Sequence, residues 1–110
     1  MRPIPPKLRE EMASDPFYTK CIFRNVECRG KIEWHHNLIF ASRQVNEAFC
    51  ILPLCKYHHD NLVRYKDYVD MVMLNRATDE ELRQYSKAIN YIEMRNTINR
   101  GYIIKHVICG

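Results

Sequence analysis

Four cysteines and four histidines lie close together between residues 21 and 59, and both residue types bind transition metals. Thiolates and imidazoles gathered in one short segment are typical of a zinc site, where four ligands surround the ion as a tetrahedron. The start of the chain lacks the apolar stretch of a signal peptide, so we expect a cytoplasmic protein with reduced thiols and no disulfides. The residues are Cys21, Cys28, Cys50, Cys55, His35, His36, His58 and His59.

The spacing within this group predicts one structural zinc ion. Cys55 and His58 form a C-x-x-H unit, and residues three apart at the start of a helix reach the same ion. A helix N-terminus also favours the thiolate form that zinc requires. Cys21 and Cys28 are the natural second pair, which gives a Cys₃His set. Two alternatives stay open here: Cys50 replaces one of these ligands, or the thiols are simply buried without metal. Cys109 is assigned no role.

The remaining histidines predict a second, chemically active site. Neighbouring side chains on a helix diverge by about 100°, so His59 points away from the zinc site that His58 serves. Neighbours on a strand face opposite sides, so His35 and His36 also diverge. Three imidazoles are therefore left over. Neutral imidazole binds divalent cations, and its pKa near ~6.5 suits a general base at neutral pH.

The order of these residues resembles a known nuclease family. The chain reads Glu33-Trp34-His35-His36, then Asn46, then Leu52-Pro53-Leu54-Cys55-Lys56-Tyr57-His58-His59. This arrangement is similar to the HNH nucleases, and more narrowly to phage and prophage HNH proteins with a zinc knuckle. The resemblance spans about residues 21–62.

The resemblance implies a ββα-metal unit, in which two strands and a helix enclose one catalytic cation, Mg²⁺ or Mn²⁺. His36 matches the general base that activates water, and Asn46 matches the residue that orients the base and its loop. His35 and His59 match the ligands of the catalytic cation. The position four residues after His59 is Val63, so water or a phosphate oxygen would complete the coordination. Hydrolysis would leave a 5′-phosphate and a 3′-hydroxyl.

Elements around these motifs are expected to position them. Residues 1–20 hold four of the five prolines and predict an N-terminal arm with a short helix over 7–12. Residues 21–36 predict two short strands around a turn at Gly30. Pro53 argues against a central strand. Apolar periodicity predicts helices over 56–75 and 79–96, the second opened by a capping box at residues 78–81 and ended before Gly101. Residues 102–108 read as a strand or extended tail.

Length and composition favour one small α+β domain: a zinc-stabilised ββα-metal unit followed by two C-terminal helices. We expect the arm at 1–20, the HNH unit at 21–75 and a helical extension at 76–110 packed on the same domain. The 110 residues suit a single core, and 46% hydrophobic content excludes disorder. Apolar runs of about five residues are far below the ~18–20 that span a bilayer, so no membrane partner is expected.

A formal charge of +4 permits a nucleic-acid partner without requiring one. We expect DNA, with a phage recombination or packaging protein as a further partner in a bacterial host cell. Arg43, Lys56 and Arg29 are the leading candidates for phosphate contacts. The basic residues around the motif are Arg24, Arg29, Lys31, Arg43, Lys56, Arg64 and Lys66.

Two other function classes stay open on the sequence. The same zinc fold could bind DNA without cutting it, although a pure binding module has no need of a general base. The chain could also be an interaction protein that docks a partner through its C-terminal helices. Exposed apolar residues on both faces of the helix expected over 79–96 would favour the interaction-protein hypothesis.

Overall fold

The computed structural model describes residues 3–103, and the side chains of residues 3–101. Within that range the chain is an α+β structure with five α-helices and two small antiparallel sheets. Two 3₁₀ turns, Pro16–Thr19 and Ala48–Cys50, connect these elements. The elements are α1 (Pro6–Ala13), β1 (Ile32–His36), β2 (Ile39–Phe40), β3 (Arg43–Gln44), β4 (Ile51–Cys55), α2 (Lys56–Asp60), α3 (Leu62–Arg76), α4 (Asp79–Tyr85) and α5 (Tyr91–Ile103).

The main sheet pairs β1 with β4 in antiparallel register, with Ile32 opposite Cys55 and His36 opposite Ile51. β4 contains a proline, Pro53, at a position where the backbone faces away from β1. The carbonyl of Pro53 accepts a hydrogen bond from Ile22 N at 3.1 Å on that outer side. The ring nitrogen of Pro53 faces the same outer side, so the ladder loses no donor. The second sheet is the hairpin of β2 and β3, which carries the loop after the His35-His36 pair.

The main sheet is covered on both sides. The larger core joins Leu52 and Leu54 of β4 to Val69 and Leu74 of α3 and to Leu82 of α4. A smaller core on the opposite face joins Ile51 to the N-terminal segment. Its other members are Met12, Tyr18, Ile4, Leu8, Phe17 and Trp34.

The segment before β1 differs from the sequence-based expectation of two strands. Residues 21–31 form a loop with no strand, and β1 takes its partner from β4 instead. The turn at Gly30 is confirmed, with φ +83°. The two residues beside Gly30 accept hydrogen bonds from the first turn of α2. Lys56 N donates to Lys31 O, and Tyr57 N donates to Arg29 O. The loop is thus attached to the helix that carries the histidine pair.

Both long helices expected near the C-terminus are divided. The helix expected over 56–75 breaks at Asn61 into α2 and α3. The helix expected over 79–96 ends at Tyr85, and α5 starts at Tyr91. Gly101, expected beyond the end, lies inside α5, and so do residues 102 and 103. Residues 104–108, the remainder of the expected strand or tail, lie outside the described range.

Other local expectations agree with the structure. The capping box of α4 is present, with Glu81 N donating to the Thr78 hydroxyl and Thr78 N donating to the Glu81 carboxylate. The short N-terminal helix is present as α1, where Pro6 occupies the first turn that tolerates proline. Among the described residues, no helix is long and apolar enough to cross a membrane.

Candidate metal centre and histidine site

A buried cluster of three cysteines and one histidine joins the loop, β4 and α2. Cys21 and Cys28 lie in the loop before β1, Cys55 ends β4, and His58 lies in the first turn of α2. The ligand atoms of all four side chains lie within 4.8 Å of one another. Three stretches of chain therefore converge on one potential zinc site, as the Cys₃His spacing predicted.

The cluster has the dimensions of a tetrahedral zinc site. His58 Nδ1 lies 3.1 Å from Cys55 Sγ, 3.6 Å from Cys21 Sγ and 3.7 Å from Cys28 Sγ. Zinc–sulfur bonds of about 2.3 Å and zinc–nitrogen bonds of about 2.0 Å place neighbouring tetrahedral ligands roughly 3.5–3.8 Å apart. The four donors fit one zinc ion, with a small outward movement of Cys55.

The imidazole of His58 presents its Nδ1 to the three thiols. The ring is fully buried and stacks on Phe23, with ring centres 4.2 Å apart. Its Nε2 is buried and has no hydrogen-bond partner among the described residues. Burial lowers the pKa of His58, and the neutral form is the one that binds zinc.

The thiols of the cluster have contrasting acidities. Burial raises the pKa of Cys21. At Cys55, burial also acts to raise the pKa, but hydrogen bonds from the His58 and Arg29 backbone and from the neighbouring thiols bring it below its ordinary value. The hydrogen bonds around Cys55 therefore favour its thiolate form, which is the form that binds zinc.

Cys50 lies outside this cluster and is not a ligand. Its thiol donates to the carbonyls of Val45 at 3.4 Å and Glu47 at 3.3 Å. Burial raises its pKa to about 12, so it stays a neutral thiol. This removes the alternative in which Cys50 replaces one of the four zinc ligands.

The other three histidines of the described residues lie on β1 and α2, with His35 and His36 at the end of β1 away from the cluster. The rings of His35 and His59 have centres 5.0 Å apart. Two imidazoles that share one ion, with metal–nitrogen bonds of about 2.1 Å, hold their ring centres about 4.5–5.3 Å apart. The distance between the ring centres of His35 and His59 falls in that range. Burial lowers the pKa of His35 to about 4, so the ring is neutral at physiological pH.

His36 faces a different set of neighbours and is bonded to Asn46. Its Nε2 lies 2.7 Å from Asn46 Oδ1, and Asn46 Nδ2 donates to the carbonyl of Pro3 at 3.0 Å. Because that carbonyl only accepts, the network assigns the oxygen of the Asn46 amide to the His36 side. His36 Nε2 therefore carries the proton, and Nδ1 keeps its lone pair. The structure thus brings His36 and Asn46 into direct contact.

The three basic residues chosen for DNA contacts have different surroundings. Arg43 is exposed on β3 and lines an open groove together with Asn46 and Tyr85. Lys56 is exposed and pairs with Asp60 at 3.1 Å. Arg29 is exposed and donates to the Val26 and Cys28 carbonyls of its own loop.

Polar groups around His35 and His59 were not predicted as site residues. Glu33 Oε1 lies 2.8 Å from His59 Nδ1, and Asn37 Oδ1 lies 3.1 Å from His35 Nε2. Lys66, expected among the basic surface residues, instead donates to Asn37 and Asp70. In the sequence, Glu33 appears only as part of the Glu33-Trp34-His35-His36 motif, with no sign of its contact with His59. No sequence pattern connects Asp70 with His35.

No family model, curated protein or solved structure matches this chain.

Proposed function

We propose that this protein is a metal-dependent DNA endonuclease of the HNH type. One observation carries the proposal: adjacent histidines of α2 serve two different sites. His58 enters the Cys₃His cluster, whereas His59 meets His35 at the end of β1 beside a third imidazole, His36. A purely structural zinc site has no use for the second group.

The local architecture supports a ββα-metal unit. β1 and β4 pair antiparallel, and α2 follows β4 without a linker. The connection between the strands carries Asn46, the residue that the family resemblance associates with orienting the base. The zinc cluster at the opposite end of β1 attaches the loop, strand and helix to each other.

In this proposal, His36 is the general base for phosphodiester hydrolysis. The hydrogen bond from Nε2 to Asn46 leaves Nδ1 to accept a proton from the attacking water. Asn46 is the positioning residue that holds the ring and its tautomer. A bound Mg²⁺ or Mn²⁺ would supply charge stabilisation at the phosphate and the leaving oxygen. His35 and His59 would hold that cation.

Contacts to the DNA backbone are assigned to exposed cations near the site. Arg43 leads, because it shares a groove with Asn46 and so lies close to the proposed base. Lys56 and Arg29 are exposed at the end of the sheet that carries the zinc cluster. Such contacts hold phosphates without reading sequence.

The direct test is incubation of the zinc-loaded protein with supercoiled plasmid in Mn²⁺, in Mg²⁺ and in a chelator without added metal. We expect nicked or linear products with either divalent cation and none with the chelator. Binding of plasmid with no cleavage under any metal would contradict the proposal and favour the non-catalytic DNA-binding module.

A further inference from the structure

The imidazoles of His35 and His59 are each held through one ring nitrogen by a hydrogen bond to a neighbouring polar side chain. Glu33 precedes His35 by two residues on β1, so both side chains lie on the same face of the strand. From that face Glu33 Oε1 reaches His59 Nδ1 at 2.8 Å. A carboxylate only accepts, so Nδ1 of His59 carries the proton. Nε2 is then the nitrogen left for a ligand.

Asn37 holds His35 through the other ring nitrogen, Nε2. Its Nδ2 donates to Asp70 Oδ1 at 2.9 Å, and its Oδ1 accepts from Lys66 Nζ at 2.7 Å. Lys66 and Asp70 are themselves paired at 2.6 Å. An ammonium only donates and a carboxylate only accepts, so this ion pair fixes which end of the amide faces His35.

The amide oxygen of Asn37 therefore accepts the proton on His35 Nε2, at 3.1 Å. Nδ1 of His35 keeps its lone pair. Asn37 is 9% exposed and is buried between β1 and α3, so water competes little for these bonds. Glu33 and Asn37 thus hold the rings of His59 and His35 in opposite tautomers.

We propose that Glu33 and the Asn37–Asp70 pair are positioning residues that hold His59 and His35 in these opposite tautomers, so that Nε2 of one and Nδ1 of the other take the same divalent cation. The inference rests on the proposed function, because it deepens the description of the same site. Groups that fix the tautomer of a metal-binding histidine typically change metal affinity by about 10–100-fold when removed.

The first experiment reads the tautomers in the wild-type protein, loaded with zinc only. Long-range ¹H–¹⁵N spectra of the imidazoles should show the proton of His59 on Nδ1 and that of His35 on Nε2. The reverse assignment for either ring would overturn the proposal, and this measurement needs no variant.

The second experiment measures Mn²⁺ affinity of the zinc-loaded protein by the paramagnetic resonance signal of free Mn²⁺. Glu33→Gln should weaken binding about 10–100-fold, because a neutral amide no longer selects one tautomer. Asp70→Asn should weaken it in the same direction. Glu93→Gln, an exposed α5 residue with the same charge change, should bind as wild type does.

The outcomes separate this inference from the nuclease proposal. Wild-type affinity in Glu33→Gln and in Asp70→Asn would defeat the positioning roles even if the wild type cuts DNA. Weaker Mn²⁺ binding in both, with a wild type that cuts no DNA, would uphold the positioning roles and reject the nuclease.

Discussion

At the scale of single residues, the proposed function depends on how far two adjacent side chains diverge. Cys55 caps the N-terminus of α2 through its sulfur, which accepts from His58 N at 3.5 Å. This cap fixes the register of the first turn, so His58 turns into the thiol cluster. His59, about 100° further round the helix, is directed to Glu33 and His35.

Separate alanine substitutions of His58 and His59 should therefore have different effects. His58→Ala should lose zinc and melt at a lower temperature, with cleavage lost through unfolding. His59→Ala should keep zinc and fold but lose cleavage and bind Mn²⁺ more weakly. Zinc content, melting temperature and plasmid cleavage of both variants check this, and exchanged phenotypes would contradict the assignment.

Residue types and spacing were sufficient to predict which four residues form the Cys₃His cluster, because the C-x-x-H unit is local in the chain and Cys21 and Cys28 are the natural second pair. They did not exclude Cys50, which only the structure places outside the cluster. The positioning residues were not predictable. Asn37 and Asp70 are 33 positions apart, and their contact exists only once α3 packs beside β1. Sequence periodicity carries no information about such a pairing.

At the scale of elements, the turn at Gly30 attaches the zinc loop to α2. Its φ of +83° lies in the left-handed region, which disfavours residues with a side chain. A Cβ added there would lie 2.8 Å from Lys56 Cβ. The position therefore requires glycine for both conformation and space.

Gly30→Ala should lower the free energy of unfolding by at least about 1–2 kcal/mol, the cost of a left-handed residue with a side chain, and should weaken zinc retention. Gly101→Ala is the matched control. A Cβ there meets nothing within 4 Å, and the residue is helical, so stability should stay or rise by up to about 1 kcal/mol. Urea unfolding of both variants tests the pair. Equal stabilities would refute the role of the turn.

Element boundaries were predicted less well than element types. The periodic apolar residues, Leu62, Tyr65, Val69 and Val72, all follow the break at Asn61, so the pattern could not show that α2 and α3 are separate helices. The break before α5 lacks glycine and proline. There the hydroxyl of Ser86 donates to Leu82 O and accepts from Tyr91 N, which closes one helix and begins the next. The pairing of β1 with β4 was not predicted, because 14 residues separate His36 from Ile51 and no local turn signal joins the two strands.

At the scale of the whole molecule, the Cys₃His cluster joins the loop, strand and helix of a small fold whose described residues form two buried apolar cores. In so small a domain, the binding energy of a zinc ion held there would be largely folding energy. The exposed Ile89, 50% accessible, lies between α4 and α5, whereas Ile92, Met94 and Ile98 of α5 are packed on the larger core. The C-terminal helices thus use one apolar face internally.

Cys55→Ala should give metal-free protein without a cooperative thermal transition. Cys50→Ala removes an equally buried thiol outside the cluster, and it should keep one zinc per chain and lose only about 1–2 kcal/mol. Elemental analysis and circular dichroism melts compare the two. A Cys55→Ala protein that stays cooperatively folded without zinc would refute the structural role of the cluster.

The most direct test of the central claim is the cleavage rate of His36→Ala on supercoiled plasmid in Mn²⁺, beside wild type. His36 lies outside the zinc cluster, so zinc content and the circular dichroism spectrum should match wild type. If His36 is the general base, the rate should fall by about 10²–10⁴-fold, the usual cost of losing such a group. A His36→Ala protein that cuts as fast as wild type would contradict that claim.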